Sequence, residues 1–223
     1  MFTSLTGSLV HVLQTRDDVR LFVSHLCSKN AAPCEGDYMK AIHLLRYLSS
    51  TPHIGRCYHS SSTEIEVSSD AAYLLHPEVG RSSGAYFCCV GPGNAPFHSD
   101  ARMQSEVATC PMTAEYMAAC SACKLIVHLR QLASDLGFPP RGPTRLYLDS
   151  QTSINLVVAP EVSRKSRRIP MAYHYIRELT KLGIVVPTHV AGSDMRANVM
   201  TKYLPPKQFL RERACLMNSA AYE

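Results

Sequence analysis

Apolar positions along the chain change their period near residue 55. Upstream, Leu5, Leu9, Val12 and Leu13 recur at helical spacing, as do Val19, Phe22, Val23 and Leu26. Asn30 to Gly36, containing Pro33, predicts a break, and Tyr38 to Leu48 resumes as a helix with Ile42, Leu45 and Leu48 on one face. The polar stretch Ser49 to Gly55, with Pro52, reads as a link to a second unit. From there the period shortens to two. Ile65, Val67 and Ser69 alternate with Glu64, Glu66 and Ser68, which predicts a strand ending at Asp70. Ser83 to Gly91 predicts a second strand, Gly91 to Asn94 a turn, and Ala95–Ser99 with Met103–Ala108 a third, irregular strand. Met112 to Leu136 is the longest helical pattern, started by Pro111 or Thr113 and stopped by Gly137, Pro139 and Pro140. Thr144 to Asp149 predicts a fourth strand, Gln151 to Val158 a short helix, Met171 to Leu182 another, and Ile184 to His189 a fifth strand. Short helices at Arg196–Lys202 and Lys207–Met217 complete the pattern. This order predicts a mixed α/β sheet with helices on its faces.

Composition narrows the class. With 23 Lys and Arg against 18 Asp and Glu, the 223-residue chain carries a formal charge of +5, compatible with a nucleic-acid partner. No run of about 18 apolar residues exists, so no membrane-spanning helix and no membrane partner is expected. Nine cysteines lack a repeating spacing, and the one C-x-x-C, Cys120 to Cys123, lies in an apolar helical pattern without a second pair to complete a zinc site. Free thiols are expected, implying a reducing intracellular compartment, cytoplasm or nucleus. The first sixteen residues lack acids and contain one Arg, which keeps a mitochondrial address open.

The candidate chemistry lies in the acids. Asp70 is expected to close the first strand and Asp149 the fourth, with Glu115 in the first turn of the long helix. If the first and fourth strands are neighbours, these carboxylates converge. Three crowded carboxylates repel unless cations share them, which argues for a divalent metal, Mg²⁺ or Mn²⁺ by the hardness of oxygen ligands. Two such ions about 4 Å apart would suit in-line attack on a phosphodiester. Singly, each acid has an ordinary reading: Asp149 as a helix cap, Asp70 as a turn residue, Glu115 as a partner of the helix dipole.

Several motifs carry a family resemblance along nearly the whole chain. They are Ser4-Leu-Thr-Gly-Ser-Leu9, Thr15-Arg-Asp-Asp-Val19, Leu44-Leu-Arg-Tyr-Leu48, Ser69-Asp70-Ala71, Arg81-Ser-Ser-Gly84, Ala114-Glu-Tyr-Met-Ala118, Leu148-Asp-Ser-Gln151, Tyr173-His-Tyr-Ile-Arg-Glu178 and Met200-Thr-Lys-Tyr-Leu-Pro205. In this order they resemble the C-terminal part of a copia-type retrotransposon polyprotein. The resemblance implies a helical reverse-transcriptase thumb or connection region over 1–55 and a ribonuclease H-like domain over 56–223, with a five-stranded sheet. It also implies that Asp70, Glu115 and Asp149 are catalytic, metal-binding acids. The family's fourth acid falls on Asn198, which keeps an oxygen ligand but no charge, so one metal position should weaken. Ala72, Thr113 and Pro170 stand where the family has further acids, and Asp194 is offset from the fourth position. The chain has no polymerase palm, integrase or protease, so it is expected to be a fragment of an element or a host protein derived from one.

For substrate contact, Arg164, Lys165, Arg167 and Arg168, with Arg177 and Lys181 beyond, form the densest basic patch and suit the phosphates of RNA or an RNA·DNA hybrid. Ser150 and Gln151 could address ribose hydroxyls. Tyr173, His174 and Tyr175 could stack on bases, or pack a helix. Two functions remain open: metal-dependent hydrolysis of RNA in a hybrid, weakened by Asn198, or an inactive, repurposed module binding RNA or protein in a larger ribonucleoprotein such as a ribosome-type assembly.

Overall fold

The computed structural model describes residues 1–59, 62–159 and 169–218. Helices α1 (Phe2–Val12), α2 (Arg20–Ser28) and α3 (Glu35–Ser50) form the N-terminal region. Their apolar faces meet in a separate small core of Phe2, Leu9, Val19, Val23, Leu26, Ala41 and Leu44. The inward face of α3 is therefore the one carrying Ala41 and Leu44. Ile42 and Leu45, expected inside, are each 37% exposed, because several faces of this mixed sequence carry apolar residues and packing selects one.

Residues 65–103 form three strands, β1 (Ile65–His76), β2 (Arg81–Val90) and β3 (His98–Met103), joined as an antiparallel meander. After α4 (Pro111–Asp135), β4 (Thr144–Leu148) pairs parallel to β1. Following α5 (Gln151–Val158) and α6 (Tyr175–Lys181), β5 (Val185–His189) pairs parallel to β4, and α7 (Pro206–Met217) closes the described chain. The sheet order is β3-β2-β1-β4-β5. This is the mixed five-stranded sheet with flanking helices that the sequence implied.

Alternation along the strands divides the core in two. Val67, Cys88, Leu146 and Leu148 face α4, where Tyr116, Ala119, Cys123 and Ile126 complete the larger core. Ala85, Phe87 and Cys89 face the other way, onto Met195, Val199, Met200 and Leu216. Fully burying a large apolar side chain contributes roughly 1.5–3 kcal/mol, so these two layers dominate the sheet unit's stability. Gly84 explains one motif: a Cβ there would stand 3.0 Å from the Ala118 side chain, so only glycine lets α4 lie this close to β2.

Two buried acids brace the helical region, Asp17 tying it to the sheet unit and Asp18 tying its turn to α3. Asp17 receives Arg56 Nε at 2.7 Å, Arg56 Nη2 at 2.9 Å and the Ser99 hydroxyl, with Arg20 at 3.4 Å. Asp18 receives Arg16 Nε and Nη2, each at 2.9 Å, and the Tyr47 hydroxyl at 2.7 Å. The Thr15–Val19 motif is thus structural in this chain. All nine cysteines are free. No helix among the described residues is long and apolar enough to cross a membrane.

Candidate metal centre

The β1–β4 register assembles the site. Ser68 stands opposite Tyr147, so Asp70 and Asp149, each two residues further on, come level where the parallel ladder ends. Asp70 does not close its strand as expected. β1 continues to His76 because its hairpin with β2 still supplies partners after β4 has stopped. Glu115 arrives from the α4 face. It lies beyond the helix's first turn, which contains no acid, so the dipole reading does not apply to it. One ligand oxygen from each of Asp70, Glu115 and Asp149 lies within 4.8 Å of the others.

The electrostatics of this cluster are unfavourable without a cation. Asp70 is fully buried, and burial raises its pKa above the usual carboxylate range; Asp149 adds to the rise, while Lys202 and the Thr201 hydroxyl oppose it. Burial, followed by the charges of Asp70 and Asp149, pushes Glu115 up to about 9, against the Ala71 backbone amide and Lys202. Glu115 Oε2 is buried without a hydrogen-bond partner. Oxygen donors at this separation, with one buried acceptor unsatisfied, fit a hard divalent cation.

Asn198, in the 3₁₀ turn Arg196–Met200, reaches the same place. Its Nδ2 donates to Gly192 O at 2.8 Å, and its Oδ1 accepts from Lys202 Nζ at 2.6 Å. Lys202 Nζ also reaches Asp70 Oδ1 at 3.3 Å, and the Thr201 hydroxyl donates to Asp70 Oδ2. Thr201 and Lys202 had no assigned role in the sequence. The signal was their place in the Thr-Lys piece, three and four residues after Asn198, which one helical turn brings back beside it.

The remaining expected contacts sort differently. Ser150 caps α5, its hydroxyl accepting from Ser153 N at 3.3 Å, so the helix-cap reading belongs to it and not to Asp149. Gln151 is exposed and donates to Asn155 Oδ1 at 2.9 Å. Arg177 does not join a phosphate-binding surface: it is buried, donating to Leu156 O at 2.9 Å and Ala159 O at 2.6 Å. Those carbonyls lie at the C-terminal end of α5, where a helix runs out of its own donors, and the guanidinium donates to both. Arg164, Lys165, Arg167 and Arg168 lie outside the described residues. His174 Nδ1 meets the Tyr116 hydroxyl at 3.1 Å, and Tyr173 packs against the core, which is the helix-packing alternative for this segment. Beside the acids opens a groove of about 720 Å³, lined by Asn198, Lys202, Lys207, Gln208 and Arg211. Lys207 and Arg211 are one turn apart on α7 and give this groove a basic wall.

No family model matches the chain. It is 25% identical over 209 residues to the retrovirus-related Pol polyprotein from transposon RE1 of Arabidopsis thaliana, covering 93% of this chain and 14% of that protein. The Pol polyprotein from transposon TNT 1-94 of Nicotiana tabacum is likewise 25% identical over 209 residues, with 93% and 16% covered. Among solved structures, LC11-RNase H1 in complex with an RNA/DNA hybrid aligns over 59% of this chain and 88% of its own, at 15% identity and a TM-score of 0.43. The chain therefore spans about one seventh of the length of the curated relatives it matches. Its homologues, along nearly all of its own length, are copia-type retrotransposon Pol polyproteins.

Proposed function

We propose that the chain is a ribonuclease H-type nuclease that hydrolyses the RNA strand of an RNA·DNA hybrid with a divalent metal. Residues 1–55 would be a thumb- or connection-like region and 56–223 the nuclease domain. The observation that carries this reading is the convergence of Asp70, Glu115 and Asp149 within 4.8 Å, with a buried Glu115 oxygen left unpartnered. Asp70 and Asp149 would hold Mg²⁺ or Mn²⁺ from the sheet side and Glu115 from the helix side. Bound there, such an ion would polarise the phosphate and lower the pKa of the attacking water. Thr201 fixes the Asp70 carboxylate by its hydrogen bond, while Gly84 lets α4 approach closely enough to present Glu115. Lys207 and Arg211 would neutralise phosphates in the adjoining groove, giving affinity that falls steeply with salt. Arg164, Lys165, Arg167 and Arg168 remain candidates for the same work, with Ser150 and Gln151 near the ribose.

A second reading, a non-catalytic RNA- or protein-binding subunit of a ribonucleoprotein, draws on one observation. Asn198 removes a charge from the fourth position and engages Lys202 instead. Both readings are tested by incubating the protein with a labelled RNA·DNA hybrid in Mg²⁺ and in Mn²⁺, beside Asp149→Asn. The nuclease predicts cleavage by the parent and a loss of at least about a hundredfold in the variant, since even outer-shell partners of a metal are worth ten- to a hundredfold. No cleavage by either, with hybrid binding retained, establishes the scaffold.

A further inference from the structure

We infer that the Lys202 ammonium fills the place of a second cation in the carboxylate centre, so that this chain's site takes one divalent ion and not two. The inference rests on the nuclease reading and concerns the composition of the same site.

The contacts of Asn198 are the starting point. Its amide nitrogen donates to Gly192 O at 2.8 Å and its oxygen accepts from Lys202 Nζ at 2.6 Å. Exchanging the amide's nitrogen and oxygen would set an NH₂ against the ammonium and an oxygen against the Gly192 carbonyl. Both contacts therefore fix the same orientation. An aspartate in this position could not donate to Gly192 O, and its charge would face that carbonyl. The pocket is thus built for an amide, which holds the lysine by its dipole and contributes no net charge.

The ammonium bridges two elements. It lies 2.6 Å from Asn198 Oδ1 on the 3₁₀ turn and 3.3 Å from Asp70 Oδ1 on β1, the role an ion would otherwise have between those oxygens. Asp70 is fully buried, while the Lys202 side chain is 40% exposed along its length. The stem comes in from solvent with its charge delivered at the carboxylate. Charge balance agrees. With its three carboxylates ionised, the centre would carry three negative charges, and the ammonium leaves two, which one divalent ion neutralises. Two divalent ions beside the ammonium would leave a net positive centre, with like charges a few ångströms apart. Asp70 accepts from Thr201 and Lys202 but has two lone pairs on each oxygen, so it retains room for one ion shared with Glu115 and Asp149.

The test counts ions directly. Electron paramagnetic resonance of free Mn²⁺ during titration gives the number bound per chain, for the parent and for the Asn198→Asp/Lys202→Met double variant, with circular dichroism as the folding control. The expected counts are one for the parent and two for the double variant. Two ions in the parent, or one in a folded double variant, overturns the inference and leaves the metal-site reading intact. No binding by either sinks that reading, and the inference with it. Should the double variant fail to fold, amine acylation of the parent followed by peptide mass spectrometry decides. Lys202 labelling should be the same with and without saturating Mn²⁺. A severalfold rise on adding Mn²⁺ would show that the ion displaces the lysine, and the inference fails.

Discussion

Two groups of acids in this chain, one fully buried and one only partly so, meet opposite fates. Asp17 and Asp18 sit in the 3₁₀ turn between α1 and α2 and are each fully buried. Arg20 and Arg56 serve Asp17, Arg16 serves Asp18, and the hydroxyls of Ser99 and Tyr47 complete the acceptors. Among the described residues, the cluster of Asp70, Glu115 and Asp149 has one ion pair, Lys202 with Asp70, and the buried Glu115 Oε2 has no hydrogen-bond partner. Asp17, Asp18 and Asp70 are all fully buried, so burial alone does not mark a functional acid. The marker is whether the protein supplies enough positive charge from its own side chains. Where it does, the acids hold two parts of the fold together; where the described residues do not, a cation from outside fits the balance.

The comparison breaks most visibly at Asp17. Asp17→Ala leaves the largely covered Arg56 and Arg20 without their carboxylate and should cost about 3–5 kcal/mol in chemical denaturation, with no recovery on adding Mg²⁺. A loss below about 1 kcal/mol would mean the Asp17 cluster is not the tie described here. Next in size is Arg177→Met, which strands the Leu156 and Ala159 carbonyls. It should cost about 1–3 kcal/mol of stability while hybrid affinity in a filter-binding titration stays within about twofold. A large fall in affinity with unchanged stability would return Arg177 to the phosphate-binding surface.

A third effect is a pH dependence. The pKa of Glu115 in the folded chain is raised above the unfolded value, so the folded state holds its proton more tightly. Its contribution is fully present below the ordinary value of 4.5 and is lost as pH rises towards about 9. Asp70 is shifted in the same direction. Without metal, Tm should therefore fall as pH rises across this window, by roughly 2–4 °C for each kcal/mol lost in a chain of this size. Added Mg²⁺ should flatten the decline. A metal-free Tm that rises between pH 5 and pH 9 contradicts the assignment.

Much of this was legible in the residues. The alternation around Leu146 and Leu148 located β4 and placed Asp149 at its end, although the strand stops one residue earlier, at Leu148, and the order of periods gave the succession of strands and helices. Asp70 was placed at a strand end where the run of alternating residues stops, whereas β1 runs on through its hairpin with β2. Arg177 was misread because a helical pattern shows which residues share a face but not that a guanidinium can end on the carbonyls of another helix. Lys202 was invisible for a related reason. Its partner Asp70 lies 132 positions away, and only the packing of the 3₁₀ turn against β1 brings them together.

The central claim is that the Asp70, Glu115 and Asp149 cluster is a divalent-cation site. The most direct check is Tm at pH 7 as Mg²⁺ is raised from zero to millimolar, for the parent and for Asp149→Asn. The parent should gain stability with the logarithm of Mg²⁺ concentration once its dissociation constant is passed, and the variant should gain far less. Equal responses from the two, or none from the parent, would contradict it.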